Sequence, residues 1–359
     1  MLLKGCISMT KINRSIEIVR AKDVHFSSMG IKSGMMIKEV LSKYYQKVSL
    51  CAVGSIGDLE NLVNRQPDLA ILGVKRIRDK DEYIWLSEYL DKNGINYSGS
   101  SKNAMELDLN KADAKLLMQS NLIPTAKFFT ARPGEFTNTR QLPIDFPVFI
   151  KPHNQGGGVG IGPDSIARDF VSFKNKVQSI YDKYGVYSLV EAYLVGREFT
   201  VGLMGSGYEA QLSVMPLEII TKPNDMGDKI LGSAVKKEDN ERAIKITDIA
   251  VKKQVSKLAQ DAYRVLGARD YGRIDIRMDS KGVANFIEAN LTPGIAHNDF
   301  ISYFTHACNI NLQMDYESMI LRIVELGLAR VNMTNCDKYI PLIEDDSYAR
   351  HINPSLSPI

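Results

Sequence analysis

The chain has 359 residues, 44% of them hydrophobic, and its 45 basic and 42 acidic side chains leave a formal net charge of +3. That length exceeds the usual single-domain range and predicts two or three domains with substantial cores. The near-balanced charge gives no overall drive towards nucleic acid or a membrane surface, and leaves small molecules as the expected partners.

From the N-terminus, Ser15–Val19 and Asp68–Gly73 read as short apolar strands with the amphipathic segment Gly34–Tyr45 between them, a βαβ pattern. A helix over Tyr83–Asn93, burying Ile84, Leu86, Tyr89 and Leu90, precedes a third strand at Asn96–Ser98, so an open α/β domain is expected to end near Ser101. The next helix, Lys111–Asn121, must stop before Ile123-Pro124, because the residue ahead of a proline is pushed out of the helical region. Phe146–Pro152 is a buried strand that ends in Lys151, and the loop after it carries Gly156, Gly157, Gly158 and Gly160. Small residues let backbone N–H groups approach phosphate oxygens, and a lysine at the strand end adds a cation. Taken alone, such a run is also what a flexible loop shows. Lys151 precedes the glycines, which is not P-loop order, and no Rossmann turn is present.

Further on, strands are predicted at Phe199–Met204 and Gln211–Met215, a helix at Thr247–Leu266, and then a hairpin: Ile274–Met278, the turn Asp279-Ser280-Lys281-Gly282, and Val283–Ile287. Here Asp275, Glu288 and Asn290 can converge on one face. Glu288 and Asn290 are two apart on a pleated strand, and hard oxygen ligands suit Mg²⁺ rather than zinc. An ordinary half-buried hairpin gives the same alternation. A last helix, Tyr316–Leu328, ends at Arg330, and the segment from Val331, with Pro341, Pro354 and Pro358, reads as a disordered tail or a surface strap. Cys6, Cys51, Cys308 and Cys336 lack C-x-x-C spacing and are expected as free thiols. No apolar run approaches the roughly 20 residues of a membrane span. Residues 1–13 lack the features of a secretory signal, and the chain reads as cytoplasmic.

What joins these parts is order and spacing. A lysine strand, a glycine loop, Val190-Glu191-Ala192-Tyr193-Leu194-Val195-Gly196-Arg197-Glu198-Phe199-Thr200-Val201, then Arg273-Ile274-Asp275 and Glu288-Ala289-Asn290-Leu291-Thr292-Pro293-Gly294 together resemble the ATP-grasp enzymes, and within them the D-alanine:D-alanine ligases. The resemblance runs from about Tyr89 to Arg330 and takes in Gly94–Ser100 and Leu109–Lys115, where the family starts a helix near a phosphate-binding lysine.

The resemblance implies an α/β (α+β ATP-grasp) fold: an N-terminal open α/β domain over 1–105, a small ATP-grasp subdomain over 106–188, a large subdomain with the metal site over 189–330, and a tail over 331–359. It implies ATP and two Mg²⁺ ions, with Mn²⁺ as a substitute, acting on a small-molecule carboxylate donor and an amine acceptor. Neither nucleic acid nor membrane is involved, and a homodimer is compatible with it. Lys111 and Lys151 would hold the ATP phosphates while Gly156, Gly157, Gly158 and Val159 close over them. Glu191 and the backbone near Leu194 would meet the adenine, and Glu198 the ribose hydroxyls. Asp275, Glu288 and Asn290 would bind the ions, with Arg273 and the Gly294 N–H stabilising the oxyanion of the tetrahedral intermediate. Phosphoryl transfer depends on charge neutralisation and positioning rather than on a protein nucleophile, so no Ser-His-Asp constellation is required.

The departures from the family are as informative. Its ligases have serines where this chain has Gly157 and Gly158, and the first of those takes part in a Ser-Tyr-Glu hydrogen-bond set beside the substrates. The loop that supplies the tyrosine is here Ile230-Leu231-Gly232-Ser233-Ala234-Val235-Lys236-Lys237, which keeps at most the lysine, as Lys236. The glutamate that holds the donor ammonium has no counterpart in 23–30, and a His-Gly-x-x-Gly-Glu-Asp-Gly loop is replaced by Lys75–Glu82. Counting without a gap from Asn290 and Gly294, Asp299, next to Asn298, falls where the family holds the acceptor carboxylate with a serine. Two negative charges about 4 Å apart would cost on the order of 4 kcal/mol at a partly exposed site, which favours a cationic or carboxylate-free acceptor. Alternatively Asp299 is an N-cap near Phe300. The expectation is an ATP-dependent carboxylate-amine ligase whose substrates are not two D-alanines. The alternatives are a true D-alanine:D-alanine ligase with a rebuilt pocket, an ATP-grasp kinase, and a non-catalytic nucleotide-binding regulator.

Overall fold

The structure, a computed structural model, describes residues 10–23, 28–205, 212–224, 226–230, 232, 241–297 and 302–330. Lys236, Asn298, Asp299 and the tail from Val331 lie outside the described residues. The described residues mix helix and sheet, as expected of the α/β class.

The N-terminal part is wound as β1 (Ile12–Ala21), α1 (Ile31–Ser42), β2 (Tyr45–Val53), α2 (Ile56–Asn64) and β3 (Leu69–Leu72). The parallel order is β2-β1-β3, and Ala70 extends the sheet by bridging Tyr97. β2 and α2 are not anticipated by periodicity. β2 is a sheet-edge strand with Gln46, Lys47 and Ser49 on it, so its apolar alternation is weak. α2 did carry a signal, a capping box between Ser55 and Asp58. The helix expected from Tyr83 begins only at Leu86. A hairpin of β4 (Arg76–Asp79) and β5 (Glu82–Trp85) comes first, and α3 covers Leu86–Lys92. The Arg76 guanidinium lies 3.9 Å from the Tyr83 ring centroid and 5.5 Å from that of Trp85, a cross-strand contact that helical geometry would break.

Two helices, α4 (Lys102–Leu109) and α5 (Lys111–Ser120), are divided at Asn110, whose side chain caps the second by accepting from the Asp113 N–H. An antiparallel sheet in the order β6-β9-β7-β8 follows, from β6 (Phe128–Ala131), β7 (Val148–Pro152), β8 (Ile166–Ala167) and β9 (Ser188–Ala192). α6 (Phe170–Tyr184) closes one face with Phe173, Val177 and Ile180, capped by Asp169 at its start and by Gly185, at φ +67, at its end.

The largest sheet has the antiparallel order β12-β11-β10-β13-β14. Its strands are β10 (Glu198–Met204), β11 (Ser213–Thr221), β12 (Glu241–Lys245), β13 (Tyr271–Met278) and β14 (Ala284–Asn290), with α7 (Ile249–Val265) between β12 and β13. α7 covers the face of Phe199, Val201, Leu203, Ile274 and Ile276. Beyond the sheet, α8 (Tyr303–Leu312) and α9 (Tyr316–Ala329) cover one end of the opposite face, and Met215, Leu217 and Phe304 there join Ile16, Ile18 and Leu69 of the N-terminal sheet in one core. The other end of that face stays open. Cys51 and Cys308 are free thiols, as expected.

Gly196 shows how tightly the strand connection is drawn. Its N–H donates to Met278 O at 3.0 Å, and a Cβ on it would stand 2.6 Å from that oxygen and 2.8 Å from Asp279 O. Backbone atoms cannot swing aside as a side chain can. Gly196→Ala is expected to cost about 1–3 kcal/mol, read as a lower urea midpoint at an unchanged slope.

Candidate active site

The open face of the large sheet is built by alternation. Register places Glu198 opposite Arg277, Thr200 opposite Asp275 and Gly202 opposite Arg273 between β10 and β13. Between β13 and β14 it places Asp275 opposite Glu288 and Arg273 opposite Asn290. A register shift follows at once, since Ile276 pairs with Phe286 and leaves Ile287 as an extra residue. Ile287 and Glu288 consequently both line the central cavity, while Phe286 remains in the core.

Asp275 is fixed from two sides. Its Oδ1 accepts from Thr200 Oγ1 at 2.6 Å, and the Arg273 guanidinium donates to both its oxygens at 3.0 Å. Burial works against the Arg273 charge, but Asp275, with Glu288 behind it, outweighs burial and raises its pKa. The Tyr303 ring lies 5.4 Å from the same guanidinium. Asp108 of α4 joins the neighbouring segment: it accepts from the Leu291 N–H at 2.6 Å and pairs with Lys75 at 2.7 Å, fixing the chain that leads from Asn290 to Gly294.

Beneath the cavity lie three buried ionised groups. Glu191, at the end of β9, is 2.5 Å from Lys115 Nζ and 2.8 Å from Lys151 Nζ, with side-chain exposures of 4%, 0% and 3%. Lys115 also donates to Thr125 Oγ1 at 2.7 Å and to Phe286 O at 3.4 Å. Burial raises the Glu191 carboxyl, but the two ammonium groups beside it prevail and lower it. The lysines diverge: enclosure drives Lys115 down, whereas at Lys151 Glu191 and Glu288 overcome burial and drive it up. Lys111 lies 3.5 Å from Glu288 and donates to Gln155 O.

The sequence-derived residues mostly gather. Lys151, Gly158, Leu194, Glu198, Asp275 and Glu288 line one cavity, and Lys111 reaches it through Glu288. Val159 lies on an outer depression with Lys176 and Lys183 instead, and Gly156 and Gly157 are exposed. Glu191 lines the cavity as well, and its carboxylate is paired with Lys115 and Lys151, two buried ammonium groups that need a counter-anion. Residues not anticipated are Lys115, Thr200, Phe149, Tyr193 and Arg277. The last was legible in R-I-D-I-R, where period two puts it on the face of Arg273 and Asp275.

Asp275, Glu288 and Asn290 suit a divalent cation. Like charges directly opposite on adjacent strands destabilise a sheet unless a cation lies between them. Among the described residues no three His, Cys, Asp or Glu side chains gather as a metal cluster, so the third oxygen would be the Asn290 amide. Among the same residues no helix is long and apolar enough to cross a membrane.

Residues 117–325 match the family described as D-ala D-ala ligase C-terminus. The chain is 26% identical over 240 residues to a D-alanine–D-alanine ligase of Actinobacillus pleuropneumoniae serotype 5b, covering 66% of this chain and 74% of that one. It is 22% identical over 301 residues to the enzyme of the same name from Hydrogenovibrio crunogenus, covering 84% and 90%. In three dimensions it is similar to the D-alanine–D-alanine ligase of Bacillus anthracis solved with ATP, with a TM-score of 0.71 over 90% of this chain and 99% of that one at 18% identity, a likeness of fold. With the family match spanning more than half the chain, the protein belongs to the D-alanine–D-alanine ligase family and is an ATP-grasp, ADP-forming ligase.

Proposed function

We propose that this protein joins a carboxylate to an amine through an acyl phosphate, and that its substrates are not two D-alanines. The observation that carries the first part is the one cavity at which Lys151 of β7 meets Asp275 and Glu288 of the large sheet, with Arg273 paired to Asp275 beside it. A donor carboxylate oxygen attacks the γ-phosphorus of ATP and ADP leaves; the amine then attacks the acyl carbon, loses a proton, and phosphate departs. Lys111 and Lys151 balance phosphate charge, the glycine loop excludes water, and Arg273 faces the oxyanion with the Gly294 N–H. Mg²⁺ held by Asp275, Glu288 and Asn290 would supply charge neutralisation at the transferring phosphoryl group.

The second part rests on what the glycine loop and the acceptor side lack. Gly157 has φ +66 and Gly158 φ +77, so serines at these positions would sit in strained backbone, although nothing lies within 4 Å of a Cβ on Gly157. Asp299, known here from sequence alone, would repel an acceptor carboxylate. A second reading, a true D-alanine–D-alanine ligase, is favoured by the names of relatives that align over most of their length. Phosphate release separates the two: the proposal expects little with D-alanine alone and turnover with a member of an amino-acid and polyamine panel. Robust release with D-alanine alone would overturn the second part.

Three outcomes follow for single residues. Glu288→Ala is expected to abolish substrate-dependent phosphate release while leaving the melting temperature within a few degrees of wild type; full activity at saturating Mg²⁺ would remove Glu288 from the site. Lys151→Met, which keeps the stem and loses the charge, should raise the ATP KM and lower kcat together, since one contact serves binding and transfer; unchanged ATP kinetics would contradict that. Glu191→Gln leaves two buried ammonium groups facing each other and is expected to cost about 3–5 kcal/mol at neutral pH by urea unfolding. Because the folded-state pKa of Glu191 lies below its ordinary value, this contribution is full above the unfolded pKa of about 4.3 and is lost as pH falls through the folded value. The gap between wild type and variant should therefore narrow below about pH 4.3, and a gap independent of pH would refute the assignment.

A further inference from the structure

The nucleoside end of the cavity carries a charged residue that the proposed reaction does not use. Arg277 follows Asp275 by two on β13, so it shares the face of Arg273 and Asp275 but lies one step farther from the phosphate-side lysines. It is nine-tenths buried at 9% exposure and lines the cavity. Directly opposite is Glu198, to whose Oε2 it donates from Nη1 at 3.3 Å, and its Nη2 donates to Lys229 O at 2.9 Å. Its guanidinium lies 5.4 Å from the Tyr193 ring centroid, and that ring stacks on Phe149 at 6.4 Å and 17°. Its Nε–H is buried and has no hydrogen-bond partner among the described residues.

We infer that Arg277 is a positioning residue for the nucleotide ribose and sets the discrimination between ribonucleotide and deoxyribonucleotide. The inference rests on the nucleotide reading of this cavity, with Glu198 at the ribose hydroxyls. A glutamate at a cavity wall has several rotamers and only one aims its carboxylate at a ribose. Arg277, held between Lys229 O and the Tyr193 ring, fixes Glu198 in one orientation before the nucleotide arrives. The unmatched Nε–H adds a donor at the same place. A buried donor without a partner is costly, and a ribose oxygen arriving beside Glu198 relieves that cost. Selection against a sugar lacking its hydroxyl is strong where the site is built to bond it, because the pocket group is then left unpaired.

Calorimetric titration of the full chain with ADP and with 2′-deoxy-ADP, each with Mg²⁺, tests this without knowledge of the acid or the amine. Wild type is expected to bind ADP roughly tenfold or more tightly than 2′-deoxy-ADP, the worth of one hydrogen bond to a charged group. Arg277→Met should weaken ADP towards the deoxy value and bring the ratio near one, with Arg277→Lys between the two. Adding Glu198→Gln to Arg277→Met should change little further, because both act on the same contact. Melting temperatures verify folding, and Arg277→Gln takes the place of the methionine variant if that one does not fold. ADP binding with an unchanged ratio in the Arg277 variant, or additive effects in the double variant, overturns this inference alone. Failure of the wild type to bind ADP at all overturns the nucleotide reading and this inference with it.

Discussion

The interaction on which the site depends is the ion cluster of Lys115, Glu191 and Lys151. Fully buried ion pairs contribute little net stability, because desolvation offsets most of the Coulomb attraction. What this one provides is placement. Glu191 is on β9, Lys151 on β7 and Lys115 on α5, and Lys115 reaches further to Thr125 and to the Phe286 carbonyl of β14. One side chain therefore ties the four-stranded sheet to the five-stranded one, across the floor of the cavity between them. Hydrophobic contact alone could hold these layers together, but it is non-directional and would leave their relative rotation loose. The ammonium of Lys151 has to face the cavity at a fixed depth, and an ionic partner with defined hydrogen-bond directions fixes that depth.

A second constraint is the bulge at Ile287. Without it, strict alternation along β14 would send Phe286 and Glu288 to one face, so either the core would lose a large aromatic or the cavity would lose a carboxylate. The extra residue resolves the conflict: Phe286 stays at 0% exposure against the α7 side while Glu288 faces Asp275. Bulges raise local twist as well.

These devices explain what was legible in the sequence and what was not. Lys151, the glycines, Asp275 and Glu288 could be found because their chemistry is tied to fixed local offsets: a lysine at a strand end, small residues beside it, oxygens two apart on a pleat. Strands and helices with dense apolar repeats, such as β7, β10, α7 and α9, were recovered for the same reason. β2, α2 and α6 were not: an edge strand dilutes its alternation with Gln46 and Lys47, α2 has only nine residues in which to show a period, and both helices carry their clearest signal in the capping boxes at their starts. The ion pairs of Glu191 are not legible in the sequence for a different reason. Its motif position marks it as a cavity residue, whereas its pairing with Lys115 spans seventy-six residues of chain, and no local pattern encodes a pairing of that separation. Lys75 with Asp108, and Asp108 with the Leu291 N–H, are long-range contacts of the same kind.

Charge balance links this architecture to the reaction. Around the cavity, Lys111, Lys115, Lys151 and Arg273 face Glu191, Asp275 and Glu288, and nearly every one of these charges already has a partner in the protein. The site is thus close to neutral before anything binds, and close to neutral is the condition under which a buried charged face can fold. A polyphosphate entering without a compensating cation would approach Asp275 and Glu288 against their charge, while cations without a polyphosphate would compete with Lys111 and Arg273 for the same two carboxylates. On the proposed reading, Glu288 would hold a divalent ion and Lys111 a phosphate, and entry of the two together would avoid both penalties. The ion pairs at 3.5 Å and 3.0 Å satisfy these acids within the protein itself, and on that reading they would stand in for the partners that a bound nucleotide and its cation bring.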